Sequence, residues 1–477
     1  MIKNFKAHPL MIITFLKPFL VFLLLPVING IRQYIQYKTY NSILGAELFL
    51  LTVITVIAFF RWRTFLLICN TENNTITIKR GLLFKRRATI AISKLSSVQA
   101  ARGPLDTIFR SVTYRINTEA GASTRPDFEF KISSKNSKEL SSILYGKNEA
   151  APVKFPAIKV AILAATTSSA FTGIIVGVPV LNRAGKLLGI AISDMLLDEI
   201  NHVSSKVQTY FPPIVNTISL IILISYLISF VYSFLKFINF KLFLNDKNIE
   251  VRSGFFIRRR TSFRKSAIND IRIEQTPIML LLRRFAMKVS VGGYGDGKGE
   301  SEVIIPLEND NEMKKRIADY FPFLMTDKNG ISPKKDYLTR SRFLFWPSIF
   351  LIATLTIAII LSLRFTDFTR FIFFLTFIAC LLIFCRAYLG LFEYYKGTIK
   401  LGDSVFCRSN RGFRTCEIYC PKEKVGEFII TRFPTDLIYK TCRVKVSVRS
   451  ERADSLRIRN IDYETAKKQI YNCFNIE

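Results

Sequence analysis

GLLFKRRATIAISKLSSVQAARGPLDTIFRSVTYRI, Gly81–Ile116, returns 173 residues later as GFFIRRRTSFRKSAINDIRIEQTPIMLLLRRFAMKV, Gly254–Val289. In both copies 23 residues lead from the glycine to a proline, Pro104 or Pro277. Six residues past each proline stands a base, Arg110 or Arg283. Eleven past it stands another, Arg115 or Lys288, followed by a β-branched residue. A third copy keeps this frame with one residue fewer: Gly412, Pro434 after 22 residues, then Lys440, Lys445 and Val446. A unit met three times in one chain is a repeated module. The copies are too far apart for a solenoid, so three separate small domains are expected.

Outward from the quoted stretch the pattern is that of strands. Ile76 and Ile78 alternate with Thr75, Thr77 and Lys79, as in a half-buried strand. Val112–Asn117 and Phe128–Ile132 continue it, and Ser134–Tyr145 then changes to helical spacing with Leu140, Ile143 and Leu144 on one face. The second copy repeats the plan with strands at Lys241–Leu244, Ile249–Arg252, Lys288–Val291 and Glu302–Ile305 and a helix from Asp310. The third has strands at Thr398–Leu401, Val405–Arg408 and Arg443–Val448, and a last helix after Asp462.

Between the β regions lie apolar runs: Leu10–Ile28, Ile43–Phe60, Val160–Leu181, Phe211–Leu235, Phe343–Leu363 and Phe371–Leu391. About 20 apolar residues cross a bilayer. The fold class expected is therefore a multi-pass α-helical membrane protein, six spans in three hairpins, each followed by a β-rich domain capped by a helix. The expected boundaries are hairpin 1–61, domain 62–147, hairpin 158–236, domain 237–323, hairpin 340–392 and domain 393–477. Residues 182–208 read as an external amphipathic segment. Composition agrees: the chain is 49% hydrophobic yet carries a net charge of +32, as spans joined by cationic domains require. Nucleic acid is the rival reading of that charge, and the spans argue against it. Bases crowd the β-domain ends of the spans, at Arg61, Arg63, Lys236, Arg340, Arg342 and Arg386. The positive-inside rule then puts both termini and all three domains in the cytoplasm.

Catalytic signatures are missing. No GxSxG, HExxH or Walker motif occurs, and with only two histidines, His8 and His202, histidine chemistry has little scope. Gly292–Gly299 is glycine-rich but lacks the GxxxxGK[ST] order and reads as a hairpin loop. Cys416 and Cys420 have no CxxC partner, so no metal is expected. No cofactor and no enzymatic activity are expected.

The hairpin-plus-β-module frame, with its Gly-apolar-basic run and later Pro-x5-base, resembles the bacterial membrane-flanked PH-domain family. Three copies in this length resemble its YdbT-like members. The resemblance covers nearly the whole chain and implies a bent seven-strand sandwich closed by a C-terminal helix, in the bacterial plasma membrane. It also points to the site. Lys79, Arg80, Lys85, Arg86 and Arg87 flank one turn, and Arg252, Arg258, Arg259 and Arg260 reproduce them. They resemble the first hairpin with which PH domains grip anionic headgroups. The third module dilutes the cluster to Arg411 and Arg414 beside Arg408. The competing reading is unspecific attraction to the anionic inner leaflet. The expected role is a non-enzymatic platform that binds anionic phospholipid or a protein partner, including a second copy of itself. The alternative is transport, or self-protection against a membrane-active compound.

Overall fold

The computed structural model describes residues 2–16, 42–81, 85–118, 126–145, 151–168, 213–245, 247–291, 302–322, 330–448 and 455–474. The first module opens with β1 (Ile2–Lys6), and residues 11–16 begin a helix. Helix α1 (Ser42–Arg63) then leads back into β2 (Leu66–Asn70), β3 (Thr75–Arg80) and β4 (Arg86–Ala91). A 3-10 turn, Ile92–Lys94, precedes β5 (Leu95–Arg102). The short helix α2 (Pro104–Ile108), β6 (Ser111–Thr118), β7 (Phe128–Ser133) and α3 (Ser134–Tyr145) complete the module.

The second module repeats this order. It has β8 (Val153–Lys154), α4 (Ala157–Thr167), α5 (Pro213–Phe237), β9 (Lys241–Leu244), β10 (Asn248–Ser253) and β11 (Arg258–Arg264). The turn Lys265–Ala267, β12 (Ile268–Gln275), α6 (Pro277–Leu281), β13 (Arg284–Val291), β14 (Glu302–Asn309) and α7 (Asp310–Tyr320) follow. The third has β15 (Gly330–Ile331), α8 (Tyr337–Arg364), α9 (Thr369–Lys396), β16 (Thr398–Lys400), β17 (Ser404–Arg411) and β18 (Arg414–Pro421). It ends with the turn Lys422–Lys424, β19 (Val425–Thr431), α10 (Pro434–Ile438), β20 (Thr441–Val448), β21 (Ser455–Asp462) and α11 (Tyr463–Phe474).

Two corrections to the expected architecture follow. The apolar helices do not precede the β domains. They interrupt them, because β1, β8 and β15 pair with β2, β9 and β16 across the insertions. β8 and β15 are two residues long, too short to carry a period. Nor is each β region a closed sandwich of its own strands. One sheet runs β7-β6-β5-β11-β10-β9-β8 and another β14-β13-β12-β18-β17-β16-β15. The first half of the second module thus extends the second half of the first module, and the third module extends the second in the same way. Among the described residues β1-β2-β3-β4 and β19-β20-β21 are the remaining sheets. The described residues form two compact units, one within Met1–Val153 and Lys241–Ala267, the other within Lys154–Phe240, Ile268–Val291 and Glu300–Glu477. Their division runs through the expected domain 237–323.

A third correction concerns the spans. Among the described residues two helices, not six, are long and apolar enough to cross a membrane: α8 and α9. Each has a window of mean hydropathy 2.3, of which 6% is buried in the protein. Helices apolar all round and uncovered by protein fit membrane association. The other four runs are described only in part. Leu10–Ile28 and Val160–Leu181 continue past residues 16 and 168, and Ile43–Phe60 and Phe211–Leu235 have described side chains only from residues 49 and 221. The amphipathic reading of 182–208, His202 and the glycine-rich loop Gly292–Gly299 lie outside the described residues.

Cores sit where the alternation demands. In the first module Leu67, Ile76, Ile78, Tyr114, Ile116, Phe130, Ile132 and Leu140 are buried together with Phe5 of β1. Tyr114 stacks on Phe130 and its hydroxyl meets Ser137 Oγ at 2.9 Å. In the third module Ile399, Val444, Val446, Ile458, Ala466 and Ile470 do the same work with Cys407, Cys416, Cys420 and Cys442. All eight cysteines are free. Burial pushes the Cys69 thiol up to about 11 and that of Cys442 to about 12, so these are inert core residues.

Candidate functional site

The basic residues singled out in the sequence lie on three strand-turn-strand hairpins. In the first, Lys79 faces Arg87 and Arg80 faces Arg86 across β3 and β4. Lys85 is adjacent, and all five side chains are exposed. Like charges directly opposite destabilise a strand pair. Among the described residues no carboxylate pairs with these five; Arg80 lies 5.4 Å from the Phe128 ring. Here the expected gathering of cations at one rim occurs.

The second hairpin is built differently. Arg252 faces Arg260 across β10 and β11, but both grip the buried Glu250. Arg252 Nε lies 2.5 Å and Arg260 Nε 2.6 Å from Glu250 Oε1. Arg252 also lies over Phe243 at 4.3 Å and Arg260 over Tyr145 at 4.2 Å. Arg258 is exposed and faces Arg102 of β5, while Arg259 faces Ala101. Two of the four expected ligands are therefore already paired with an acid.

The third hairpin departs again. Arg411 faces Arg414 across a two-residue turn, Gly412-Phe413. Arg414 Nη1 lies 3.5 Å from Glu274 Oε2. Arg408 is paired with Glu417 at 2.6 Å. Counting back five residues from the 3-10 turn, Arg260 falls on Glu417, and their cross-strand partners are Arg252 and Arg408. Two residues further stand Gly254 and Asn410. Gly412 is therefore not the counterpart of Gly254. Its φ of 62° belongs to a tight turn, whereas Gly81 and Gly254 have 121° and 103°. At Gly254 a Cβ would also stand 2.0 Å from Ile257 O, so only glycine fits.

The turn tips are apolar. Phe255 and Phe256 are more than half exposed, and Phe413 is exposed to 47%. A second apolar tip recurs at α2, α6 and α10, where Ile108, Leu281 and Ile438 are exposed to 71%, 84% and 76%. It accounts for the base six past each proline. The proline opens a five-residue helix, and the base closes the turn in the left-handed region: Arg110 at φ 52°, Arg283 at 50° and Lys440 at 52°. Asp106 and Asp436 accept from the backbone N–H of Gly103 and Phe433, at 3.2 and 3.0 Å, and so cap these helices. Sequence reasoning missed both acids, although Pro-Leu-Asp and Pro-Thr-Asp carry the signal. In α6 Met279 takes that place, and the Thr276 hydroxyl caps instead, accepting from Met279 N at 3.4 Å.

In the third module both tips are bolted to the apolar helices. Arg386 of α9 donates to Gly412 O at 3.0 Å, and Asn410 donates to Leu389 O. Arg342 of α8 pairs with the buried Asp436 beside Arg443 and donates to Thr441 Oγ1 at 3.0 Å. Glu393 of α9 pairs with Arg459 at 2.9 Å. In the first module Trp62 of α1 donates to Ala7 O at 2.9 Å, and Lys131 pairs with Asp106 at 2.6 Å. Elsewhere, Ser93, Lys247, Asn248, Arg264, Lys265 and Ser266 line a cleft of about 550 Å³. Arg264 is already spent there on the carbonyls of Ile92 and Ser93. Among the described residues no group of acids, histidines and cysteines could hold a metal.

Repeated β-rich modules, each interrupted by apolar helices and each bearing basic hairpins with apolar tips, define a class of binding or assembly domains rather than any particular chemistry. The profile of the Bacterial PH domain family matches residues 11–148 and 188–320, more than half of the chain, and the chain belongs to that family. No curated protein matches it.

Proposed function

We propose that this protein is a non-enzymatic, multi-pass membrane protein of the bacterial plasma membrane whose cytoplasmic PH-like modules press basic, apolar-tipped hairpins against the anionic inner leaflet. The observation that carries the reading is the first hairpin. Four of its five exposed cations stand in two facing pairs with Lys85 adjacent, and among the described residues no acid pairs with them, an arrangement that an anionic surface relieves. The attachment of the Gly412 turn to α9 supports it, because it brings an apolar tip beside a helix apolar enough to cross a bilayer. The second and third hairpins have acids beside their arginines, so the first module carries most of the headgroup contact.

The test uses the full chain in mild detergent doped with phosphatidylglycerol or phosphatidylcholine, with retained lipid counted by mass spectrometry. Replacing Lys79, Arg86 and Arg87 by Gln should lower phosphatidylglycerol retention by about 1 kcal/mol per charge removed. The matching changes at Arg252 and Arg260 should have little effect on retention. Arg86→Lys separates two modes: an unspecific surface contact tolerates it, a bidentate pocket does not. Unchanged retention in the triple variant would remove the lipid reading.

A further inference from the structure

The same junction is made twice inside this chain. β5 docks antiparallel on β11, with Ala100 facing Arg260. β12 docks antiparallel on β18, with Ile273 facing Glu417. Ala100 and Ile273 are equivalent positions of the repeat, five residues past Leu95 and Ile268, the first residues of their bulge-bearing strands. Arg260 and Glu417 are equivalent too, five residues before the 3-10 turn. The register is thus identical in both junctions. Even the irregularity at the start of the docking strand recurs, between Leu95 and Ser97, Ile268 and Asp270, and Val425 and Glu427. The junction is a property of the repeat: the strand after the 3-10 turn of one module binds the strand before the 3-10 turn of the next.

Three modules joined twice leave one strand of each kind over. Among the described residues β4 ends the sheet β1-β2-β3-β4, and β19 ends the sheet β19-β20-β21. Exposure marks both as the odd members of their kind. β5 and β12 are buried over most of their length, whereas no residue of β19 is. β11 and β18 each bury three or more residues, whereas β4 buries none. β19 also lacks the defences of a natural edge. Its sequence, VGEFIIT, has a single charge, no lysine and no proline.

We propose that β19 of one copy of this chain docks on β4 of a second copy, antiparallel and in the register of the two internal junctions. That register sets Phe428 opposite Thr89, Ile429 opposite Ala88 and Ile430 opposite Arg87. The contact is heterologous, since each copy offers one strand of each kind, so the assembly closes into a ring or grows. The inference is independent of the lipid reading: it rests on backbone edges, not on the basic side chains.

Two differently tagged full-length chains in mild detergent test it, one with Ala88→Cys and one with Ile429→Cys. Cys380, Cys385 and Cys473, which are only partly buried, are replaced by Ala in both. Facing residues in an antiparallel pair have Cα atoms about 4.5–5.5 Å apart, within disulfide reach. Mild oxidation should yield an adduct bearing both tags. Ala91→Cys in place of Ala88→Cys shifts the thiol three residues, about 10 Å along the strand, and should yield little adduct. Because the two thiols are on different chains, a contact within one chain gives no double-tagged product. Absence of the adduct, whether the protein is a single chain or an assembly by light scattering, would overturn the proposal, as would equal adduct from both registers.

Discussion

At the scale of the residue, Asp106 shows how a small motif holds a module. It is buried, and burial works to raise its pKa, but the Lys131 ammonium, the Ser111 hydroxyl and the Gly103 N–H outweigh that and hold it below the usual carboxylate range. A carboxyl lowered on folding stabilises the native state fully above its unfolded value of about 3.9. That contribution is lost as the pH falls through the lower native value. Asp106→Asn should therefore weaken the first module by about 3 kcal/mol near neutral pH, since it leaves Lys131 without its partner. Amides of β6 and β7 should exchange roughly 100-fold faster in hydrogen exchange. The gap between variant and parent should narrow as the pH drops below about 4; a gap of constant size would show that ionisation of Asp106 is not what matters. The recurring Pro-x5-base was legible in the sequence, but its reason was not. Spacing records that Arg110, Arg283 and Lys440 recur, and only backbone angles show that they close a left-handed turn.

At the scale of the element, strands are completed by neighbours distant in sequence. β11 has β10 on one side and β5 on the other; β12 has β13 and β18. A fragment cut at the expected boundaries, 237–323, loses β5, β18 and β8 together. It exposes two long edges that are covered in the whole chain, and such edges aggregate. The expected outcome is a fragment that self-associates and gives a poorly dispersed amide proton spectrum. A sharp, dispersed spectrum from a monomeric 237–323 would contradict the shared-sheet account. The alternation of Ile76 with Thr77 or Ile249 with Glu250 marked strands such as β3 and β10, but not β5, β11, β12 or β18, the strands that join the modules. It could not tell which strands would pair, because an inward-outward period describes faces and leaves edges open.

At the scale of the whole molecule, charge placement is the guide to topology. α8 and α9 are joined by a short link in which Arg364 and Arg370 flank Asp367, while Arg340 and Arg342 lie near the start of α8, Lys396 ends α9 and Arg386 lies ten residues before that end, so the excess of bases is on the side away from the link. The proposed orientation puts the link outside and the modules inside. A membrane-impermeant thiol reagent on intact cells should label Asp367→Cys and spare Lys135→Cys and Ser455→Cys until the cells are opened. The opposite pattern would reverse the orientation and with it the leaflet that the basic hairpins meet.

By itself the sequence determined the threefold repeat, the β-then-helix order within each module, the apolar runs and the basic hairpins. These are patterns of neighbours along the chain, written in spacing, period and composition. Only the tertiary structure decided three other things. The apolar helices interrupt the modules, since β8 and β15 are two residues long and show as strands only by their hydrogen bonds to β9 and β16. The sheets pass from one module to the next, because strand edges are satisfied by backbone groups that every residue type carries. The three basic hairpins are chemically unequal: the register sets Glu250 beneath Arg252 and Arg260 and brings Glu274 to Arg414, while it leaves Lys79, Arg86 and Arg87 open. A cation is free or neutralised according to what long-range packing brings within a few ångströms, and that distance is not written in the local sequence.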